Sequence, residues 1–255
     1  MLLYKTLRKI ILGMLFVSLL GLLACTAVNQ SGVYYATSKD SVTADGLHRV
    51  LWEPFEITFV RPGAKLSEYD AVIVDRVRIG YKRTPKGTLS SEAAISPNYK
   101  LSPEEIAGMA DLFKSTLVKT LTTQNHFKVA TEAGPKVLRI GAHILDLTIT
   151  APPQNQQAGD ETTYVSSSGN MTLVLNVEDS ETNTPLVRVG DRRDIALYFQ
   201  NSFYAADNTT NSIALKSLFQ GWATRLNDEL DQLSSIPEIP APPRKEQSAN
   251  TGSKE

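Results

Sequence analysis

The chain of 255 residues contains one cysteine, and the residues before it indicate what its thiol does. Cys25 follows Leu22-Leu23-Ala24, at the end of an apolar run over residues 10–20 that is too short to cross a bilayer, which needs about 20 residues. A cationic segment, an apolar segment and small residues, in that order, are typical of a cleaved secretory signal. We therefore predict a lipoprotein signal peptide over residues 1–24, with an acylated Cys25 as the first mature residue. The alternative is a buried cysteine in a signal-anchor helix. The cationic residues are Lys5, Arg8 and Lys9.

A run of charged residues in a predicted strand is the second candidate for chemistry. In Asp191-Arg192-Arg193-Asp194, strand alternation places the first and third side chains on one face and the second and fourth on the other. Such sets are commonly solvated or cross-strand pairs that contribute little individually. The alternative is a surface that recognises a partner, which would contain Arg76, Arg78, Arg188, Arg192 and Arg193.

The polar loop over residues 152–169 is a further candidate for binding, because it is long for a compact domain and has no apolar period. Such a loop is either a binding element or simply disordered. It ends in Ser166-Ser167-Ser168-Gly169, which we do not interpret as a nucleophile elbow, since that motif joins a buried strand to a helix.

The remaining reactive side chains form no recognisable catalytic or metal-binding motif. His48, His126 and His143 lie in different predicted elements and lack the spacing that places two ligands on one helical face. Acylation of Cys25 leaves no thiol for a disulfide or a redox centre. We predict no catalytic residue, no metal and no cofactor. An enzyme on this chain would need a pocket lined by groups such as Asp75, His143 or Arg139.

The elements that must position these residues are predicted from periodicity and capping. Residues 69–82 alternate as a strand, with an apolar face and with Asp75 turned outward by a bulge. On the other face Val72 and Val74 give way to Arg76 and Arg78, so one end of the strand is predicted to be buried on both sides. The residues of the apolar face are Ala71, Ile73, Val77, Ile79 and Tyr81. Ser102-Pro103-Glu104-Glu105 is a capping box that opens a helix. Residues 136–150 indicate a central strand, residues 171–199 a hairpin and residues 211–233 a second helix. This order predicts an α+β fold, a mainly antiparallel mixed sheet with two helices on one face, in a single domain.

Composition and charge limit the possible partners and indicate how the chain is divided into segments. Without the signal peptide the chain keeps 23 of its 26 basic side chains and all 27 acidic ones, a net charge of about −4 that offers nucleic acid no general attraction. We predict a lipidated cysteine and flexible leash over residues 25–50 and a globular domain over residues 51–235. The proline-rich residues 236–255 are predicted to be disordered.

Several of these features together resemble a known family. They are the cysteine motif, the strand Tyr69-Asp70-Ala71-Val72-Ile73-Val74-Asp75-Arg76-Val77, the helix opening Leu101-Ser102-Pro103-Glu104-Glu105, and Val137-Leu138-Arg139-Ile140-Gly141-Ala142. The chain resembles the Gram-negative lipoproteins grouped as domain-of-unknown-function family 3313. The element order is also similar to the periplasmic domain at the N-terminus of TolB. The resemblance implies a fold and leaves activity open.

The sequence favours a lipid-anchored envelope protein whose domain binds a periplasmic or outer-membrane protein, without catalysis. The acyl chains are its contact with the membrane. Thr26 follows the cysteine, where an aspartate commonly retains lipoproteins in the inner membrane, so we expect the outer membrane and a domain facing the periplasm. The alternative function is a cell-envelope hydrolase or ligand-binding protein.

Overall fold

The computed structural model describes residues 32–38, 40–51, 54–81, 99–124, 127–151, 162–197 and 203–243. The predictions for residues 1–24, Cys25, His126 and residues 244–255 lie outside these ranges. The described residues from Val33 onward form one compact unit. In chain order its elements are β1 (His48–Val50), β2 (Ile57–Val60), a short 3-10 helix (Leu66–Glu68), β3 (Ala71–Val74), β4 (Arg78–Tyr81), α1 (Pro103–Gln124), β5 (Lys128–Val129), β6 (Val137–Ile149), β7 (Tyr164–Val165), β8 (Gly169–Asp179), β9 (Pro185–Asp194), β10 (Tyr204–Ala205) and α2 (Asn208–Ser234).

Eight of the described strands form one mixed sheet, in the order β1-β2-β9-β8-β6-β3-β5, with β4 also paired to β6. The pairs β1-β2, β2-β9, β8-β9 and β6-β8 are antiparallel, whereas β3 and β4 run parallel to β6. The parallel connection from β4 to β6 passes through α1, as a crossover requires. The strands β7 and β10 form a separate two-stranded ribbon. The predicted fold class is confirmed.

Both helices begin with a side-chain cap, which the sequence predicted for α1; α2 begins at Asn208, three residues before the predicted start at 211. The Ser102 hydroxyl accepts from the Glu105 N–H at 3.2 Å, and the Glu105 carboxylate accepts from the Ser102 N–H at 2.7 Å, which completes the predicted capping box. At the start of α2, the Asp207 side chain accepts from the Thr210 N–H at 2.7 Å. These caps supply partners for backbone donors that the helices cannot satisfy internally.

The two helices pack side by side on one face of the sheet. Phe113 of α1 meets Phe219 and Trp222 of α2, with ring centroids 4.7 and 5.9 Å apart. Alternate residues of the central strands complete this core, for example Ile140 on β6 and Leu175 on β8, both fully buried. Burial of these large side chains is the main stabilising contribution to the fold.

The strand predicted over residues 69–82 is interrupted, and this reverses part of its predicted pattern. The residues between β3 and β4 leave the ladder, and Asp75 lies half-exposed beside them, as a bulge would place it. Val72 and Val74 are buried in the core, whereas Ile73 is only partly buried on the other face. Burial of this end on both faces agrees with the prediction. The single apolar face predicted to join Ala71 and Ile73 to Val77 was wrong, because the three-residue interruption changes the phase of the alternation.

Two predicted domain boundaries were also wrong. The leash does not extend to residue 50, since Leu47 is fully buried and Ala36 donates to the Arg49 carbonyl at 2.9 Å. The C-terminal segment is held beyond residue 235: Ile239 is 1 % exposed and forms two backbone bonds of 2.8 Å, one with Gly63 and one with Ala64. Backbone pairing with distant parts of the chain orders both segments, and such pairing cannot be predicted from composition.

Candidate functional site: the open face of the sheet

The face of the sheet opposite the helices is the candidate functional site. On β8 the residues facing the helices are buried, whereas Thr172, Val174 and Asn176, which point the other way, are only partly buried. Neither α1 nor α2 packs on this second face, which we call the open face. It brings together side chains from strands that are far apart in the sequence.

Register defines two neighbouring rows across the open face. In the first row, Ile57, Gly190, Val174, His143 and Arg78 are successive partners on β2, β9, β8, β6 and β4. In the second row, Phe59, Arg188, Asn176 and Gly141 are partners on β2, β9, β8 and β6. The two rows therefore combine apolar side chains, two arginines and two glycines, and the glycines add no side chain above the backbone of the open face.

Two of the predicted partner-binding arginines on this face, Arg188 and Arg192, are held by neighbouring side chains. Arg188 donates to the Asn176 side chain at 2.5 Å and to the Asp45 carboxylate at 2.7 Å. Arg192, two residues beyond Gly190, is exposed and donates to the Asn170 side chain at 2.9 Å. Each guanidinium is thus positioned before any partner arrives, which lowers the entropic cost of binding.

The contact with Arg188 changes the pKa of the Asp45 carboxylate. Hydrogen bonds from Arg188 and from the Thr43 hydroxyl stabilise its charged form and hold its pKa below the ordinary value. The pair is more than a third exposed on the Asp45 side, so water screens much of the attraction. Its main effect is to orient Arg188.

The other three predicted arginines are not brought to one place. Arg78 is exposed on β4 and is in register with His143. Arg76 is exposed in the interruption between β3 and β4. Arg193 points to the opposite, helix-covered side of β9. The predicted five-arginine surface is therefore divided: Arg78, Arg188 and Arg192 share the open face, and Arg193 belongs to the core side.

Arg193 belongs to a buried carboxylate cluster that the sequence analysis missed. Asp191 has only 1 % of its side chain exposed. Its Oδ2 accepts from Arg193 Nε at 2.8 Å, from Trp222 Nε1 at 2.9 Å and from Arg225 Nη1 at 3.0 Å. The alternation of Val187, Val189 and Asp191 was the available signal, because it places the aspartate on the core face. The cluster ties β9 to α2.

The residues of the alternative enzymatic hypothesis lie on or beside the open face but do not converge. Asp75 and Arg139 form an ion pair of 2.9 Å, half-exposed at the interruption between β3 and β4. His143 lies four residues further along β6, a separation of roughly 13 Å along a strand. The ion pair explains the position of Asp75 without a reaction.

The described part of loop 152–169 is not free. Residues 152–161 lie outside the description, but β7 pairs with β10, and Ser168 is buried and donates its N–H to the Ile195 carbonyl at 2.9 Å. The Ser167 hydroxyl donates to the Gly169 carbonyl at 2.7 Å, which makes the serine run a turn. Gly169 has φ +157, and a Cβ there would lie 2.1 Å from the Thr148 carbonyl oxygen.

A cavity of about 250 Å³ opens at the end of the domain where α1 and α2 begin. Its walls are mainly aliphatic, and Glu105 and Asn211 are among its polar residues. Asn211 donates to the Ala151 carbonyl at 3.2 Å and so closes one side. The aliphatic residues are Leu101, Met109, Leu112, Leu147, Ile149, Ile195 and Leu215.

The described residues contain neither a metal-binding cluster nor a membrane-spanning helix. They contain no group of three histidine, aspartate or glutamate side chains arranged to hold a metal ion. Among the same residues, no helix has the length and apolar character needed to cross a membrane.

Solved structures with a similar arrangement are distant in sequence. They include the PelC dodecamer from Paraburkholderia phytofirmans, 11 % identical with a TM-score of 0.30, where the match covers 64 % of this chain and 93 % of that one. Protein XCC0632 from Xanthomonas campestris is 12 % identical with a TM-score of 0.34, over 68 % of this chain and 91 % of that one. The hypothetical protein CT253 from Chlamydia trachomatis is 10 % identical with a TM-score of 0.33, over 64 % and 98 %. Scores this low carry no functional conclusion.

No curated protein matches the sequence significantly. A family model does match it, over residues 51–226, which is most of the domain described above. That match includes the strand, the capping box and the central β6 strand on which the resemblance was based. The chain belongs to the family described as "Protein of unknown function (DUF3313)".

Proposed function

We propose that this protein is a lipid-anchored protein of the bacterial outer membrane, whose open face binds another protein of the periplasm without catalysing a reaction. The observation that carries the proposal is the open face itself, a broad sheet surface on which arginines are fixed beside apolar residues. Arginine and apolar side chains together are characteristic of protein interfaces. The acyl chains on Cys25 supply the attachment to the membrane.

The size of the open face suits this role. From β1 to β4 the sheet crosses five strand spacings, roughly 24 Å, and the length of β8 is about 33 Å. The product, about 800 Å², is the area that one partner contributes to a standard protein interface. Gly141 and Gly190 help a partner approach the backbone, since nothing lies within 4 Å of a Cβ built at Gly141.

Site-specific crosslinking in the native envelope tests the binding proposal. A photoreactive residue at Thr172 or Val174, in the middle of the open face, should capture one discrete protein. The matched control is Lys216, exposed on the outer surface of α2, which should capture none. Absence of an adduct from both open-face positions, or the same adducts from Lys216, would refute the assignment of this face.

A charge reversal tests the role of the arginines. Arg192→Glu should reduce capture, because the side chain is exposed and its charge faces a partner. Lys216→Glu makes the same change on the helix surface and should have no effect. Arg193 is unsuitable for this test, since its guanidinium balances the buried Asp191.

The anchor is tested separately. Cys25→Ser removes the sulfur that accepts the lipid, so the variant should lose partition into a detergent phase while the wild-type chain retains it. Aqueous partition of the wild-type chain would disprove the lipid attachment.

A further inference from the structure

Exposed apolar side chains gather at the end of the domain where both helices begin, which we call the apolar end. Of the nine large hydrophobic residues that are mostly or partly exposed in the described part of the chain, six lie there. The cavity of about 250 Å³ opens at the same end. The six residues are Tyr34, Leu51, Ile57, Tyr164, Phe203 and Ile213.

Backbone pairing places the first three of these residues together. Leu51 follows β1 and donates its N–H to the Tyr34 carbonyl at 2.7 Å, so the two side chains are neighbours. Ile57 begins β2 and is the partner of Gly190, near the end of β9. They form the corner between the apolar end and the open face.

The other three residues belong to the ribbon and to α2. Tyr164 is on β7, and Phe203 directly precedes β10. The ribbon is fixed to the end of β9 by the Tyr204 hydroxyl, which donates to the Ile195 carbonyl at 2.8 Å. Ile213 lies in the second turn of α2, beside the residues that line the cavity.

The opposite end of the domain is different in character. The turn from β8 to β9 is polar, and Asp179 accepts hydrogen bonds there from the N–H and hydroxyl of Thr182, both at 2.8 Å. Lys65 and Glu238 form an exposed ion pair there. Val129 on β5 is an exposed apolar residue at this end, since its neighbour Lys128 is in register with Ala71 at the start of β3.

The anchor is attached at the apolar end. Six residues lie between Cys25 and Gly32, where the described chain begins, and the seven Cα–Cα steps that join them reach at most about 25 Å. Tyr34 follows two residues later. An acylated Cys25 therefore keeps the apolar end within a short distance of the bilayer, and this proximity raises the effective concentration of lipid at its exposed side chains.

We propose that the apolar end lies against the phospholipid surface that holds the acyl chains, with Leu51, Tyr164 and Phe203 in the headgroup layer. Tyrosine rings are suited to that layer, because one part of the ring is apolar and the other is polar. In this orientation the open face stands beside the membrane, where a periplasmic partner reaches it. The inference rests on the lipid anchoring proposed above.

Single-cysteine labelling of the full lipidated chain tests the orientation. Because Cys25 is the only cysteine and is acylated, an introduced cysteine is the only free thiol. A fluorophore would be placed at Leu51→Cys or Phe203→Cys, with Val129→Cys as the control, in vesicles of phosphatidylethanolamine and phosphatidylglycerol that contain a brominated lipid as quencher. All three positions are exposed, so labelling leaves the core intact.

The labels at positions 51 and 203 should lose fluorescence to the lipid quencher, and the label at position 129 should not. Vesicle-bound protein with equal fluorescence at all three positions would overturn the orientation and leave the anchoring intact. Label fluorescence that changes with the number of protein molecules per vesicle, at constant lipid, would show that a second copy of this chain covers the apolar end. That result would also overturn the proposed orientation. Failure of the protein to float with vesicles would refute the anchoring and the orientation together.

Discussion

Replacement of Asp191 by asparagine should lower the free energy of unfolding far more than replacement of an exposed charged residue on the same strand, β9. The side chain is buried and accepts hydrogen bonds from Trp222, Arg193 and Arg225. Asp191→Asn preserves the shape and removes the charge. Trp222 retains an acceptor in the amide oxygen, but both guanidiniums lose their carboxylate.

The magnitude follows from the exposure of the partners. Hydrogen bonds to charged groups are worth about 1.5–3 kcal/mol each, but the Arg193 and Arg225 side chains are 36 % and 34 % exposed and recover part of this in water. We expect Asp191→Asn to lower the free energy of unfolding by about 2–3 kcal/mol. Asp191→Ala should cost about 3–5 kcal/mol, since it also leaves the buried Trp222 N–H without an acceptor. Either loss is a large fraction of the free energy of unfolding of a typical domain, which is about 5–15 kcal/mol.

Urea unfolding followed by circular dichroism measures the effect, with tryptophan fluorescence as a second probe in the variants that keep Trp222. With a urea dependence of about 2 kcal/mol/M, Asp191→Asn should lower the midpoint by about 1 M or more. Arg192→Gln is the adjacent control, on the open face, and should change stability by less than about 0.5 kcal/mol. The combination of Asp191→Ala with Trp222→Phe should cost less than the sum of the two single variants, because each of them removes the hydrogen bond between Trp222 and Asp191. An unchanged midpoint for Asp191→Asn would refute the reasoning.

Three further predictions concern packing and pH. Gly169→Ala should lower the melting temperature or prevent folding, because the new Cβ would overlap a backbone carbonyl of β6, whereas Gly141→Ala, with nothing within 4 Å of the added Cβ, should be nearly neutral by calorimetry. Phe113→Ala should cost about 3–5 kcal/mol in urea unfolding, since it empties the space between the two helices; an unchanged midpoint would disprove that packing. The pKa of Asp45 is held below its ordinary value by the Arg188 hydrogen bond, so this contact stabilises the fold above the unfolded pKa of about 3.9 and is lost as pH falls through the lowered pKa. Asp45→Asn should therefore flatten the loss of stability in acid, and an identical acid titration of stability in the variant would contradict this.

Locally encoded features could be predicted from the sequence. The capping box at Ser102 and the apolar stripe of α2 depend on residues three or four apart, and both were correct. The interruption at Asp75 was anticipated as a bulge, but the change of facing of β3 was not. That facing is set by pairing with β6, a strand more than 60 residues later in the chain.

The candidate site was only partly predictable, because its grouping depends on strand order. The sequence places Arg188 and Arg192 on one face of a strand by their even spacing. It does not reveal that β2 and β8 are the neighbours of β9, which brings Ile57 and Val174 beside them. The burial of Ile239 was missed for a similar reason, since an isolated apolar residue between prolines gives no periodic signal.

The pairing of early strands with late ones constrains the order in which the domain assembles during synthesis. The Tyr35 hydroxyl donates to the Pro240 carbonyl at 2.6 Å, a contact across 205 residues. In the described part of the chain, β9 is the strand that joins the hairpin of β1 and β2 to the rest of the sheet, so the first strands to emerge have no place in the sheet until residue 194 is available. Long-range pairing of this kind slows folding and leaves unpaired strand edges exposed in the interval. The newly made chain should therefore depend on a holding chaperone until β9 is released.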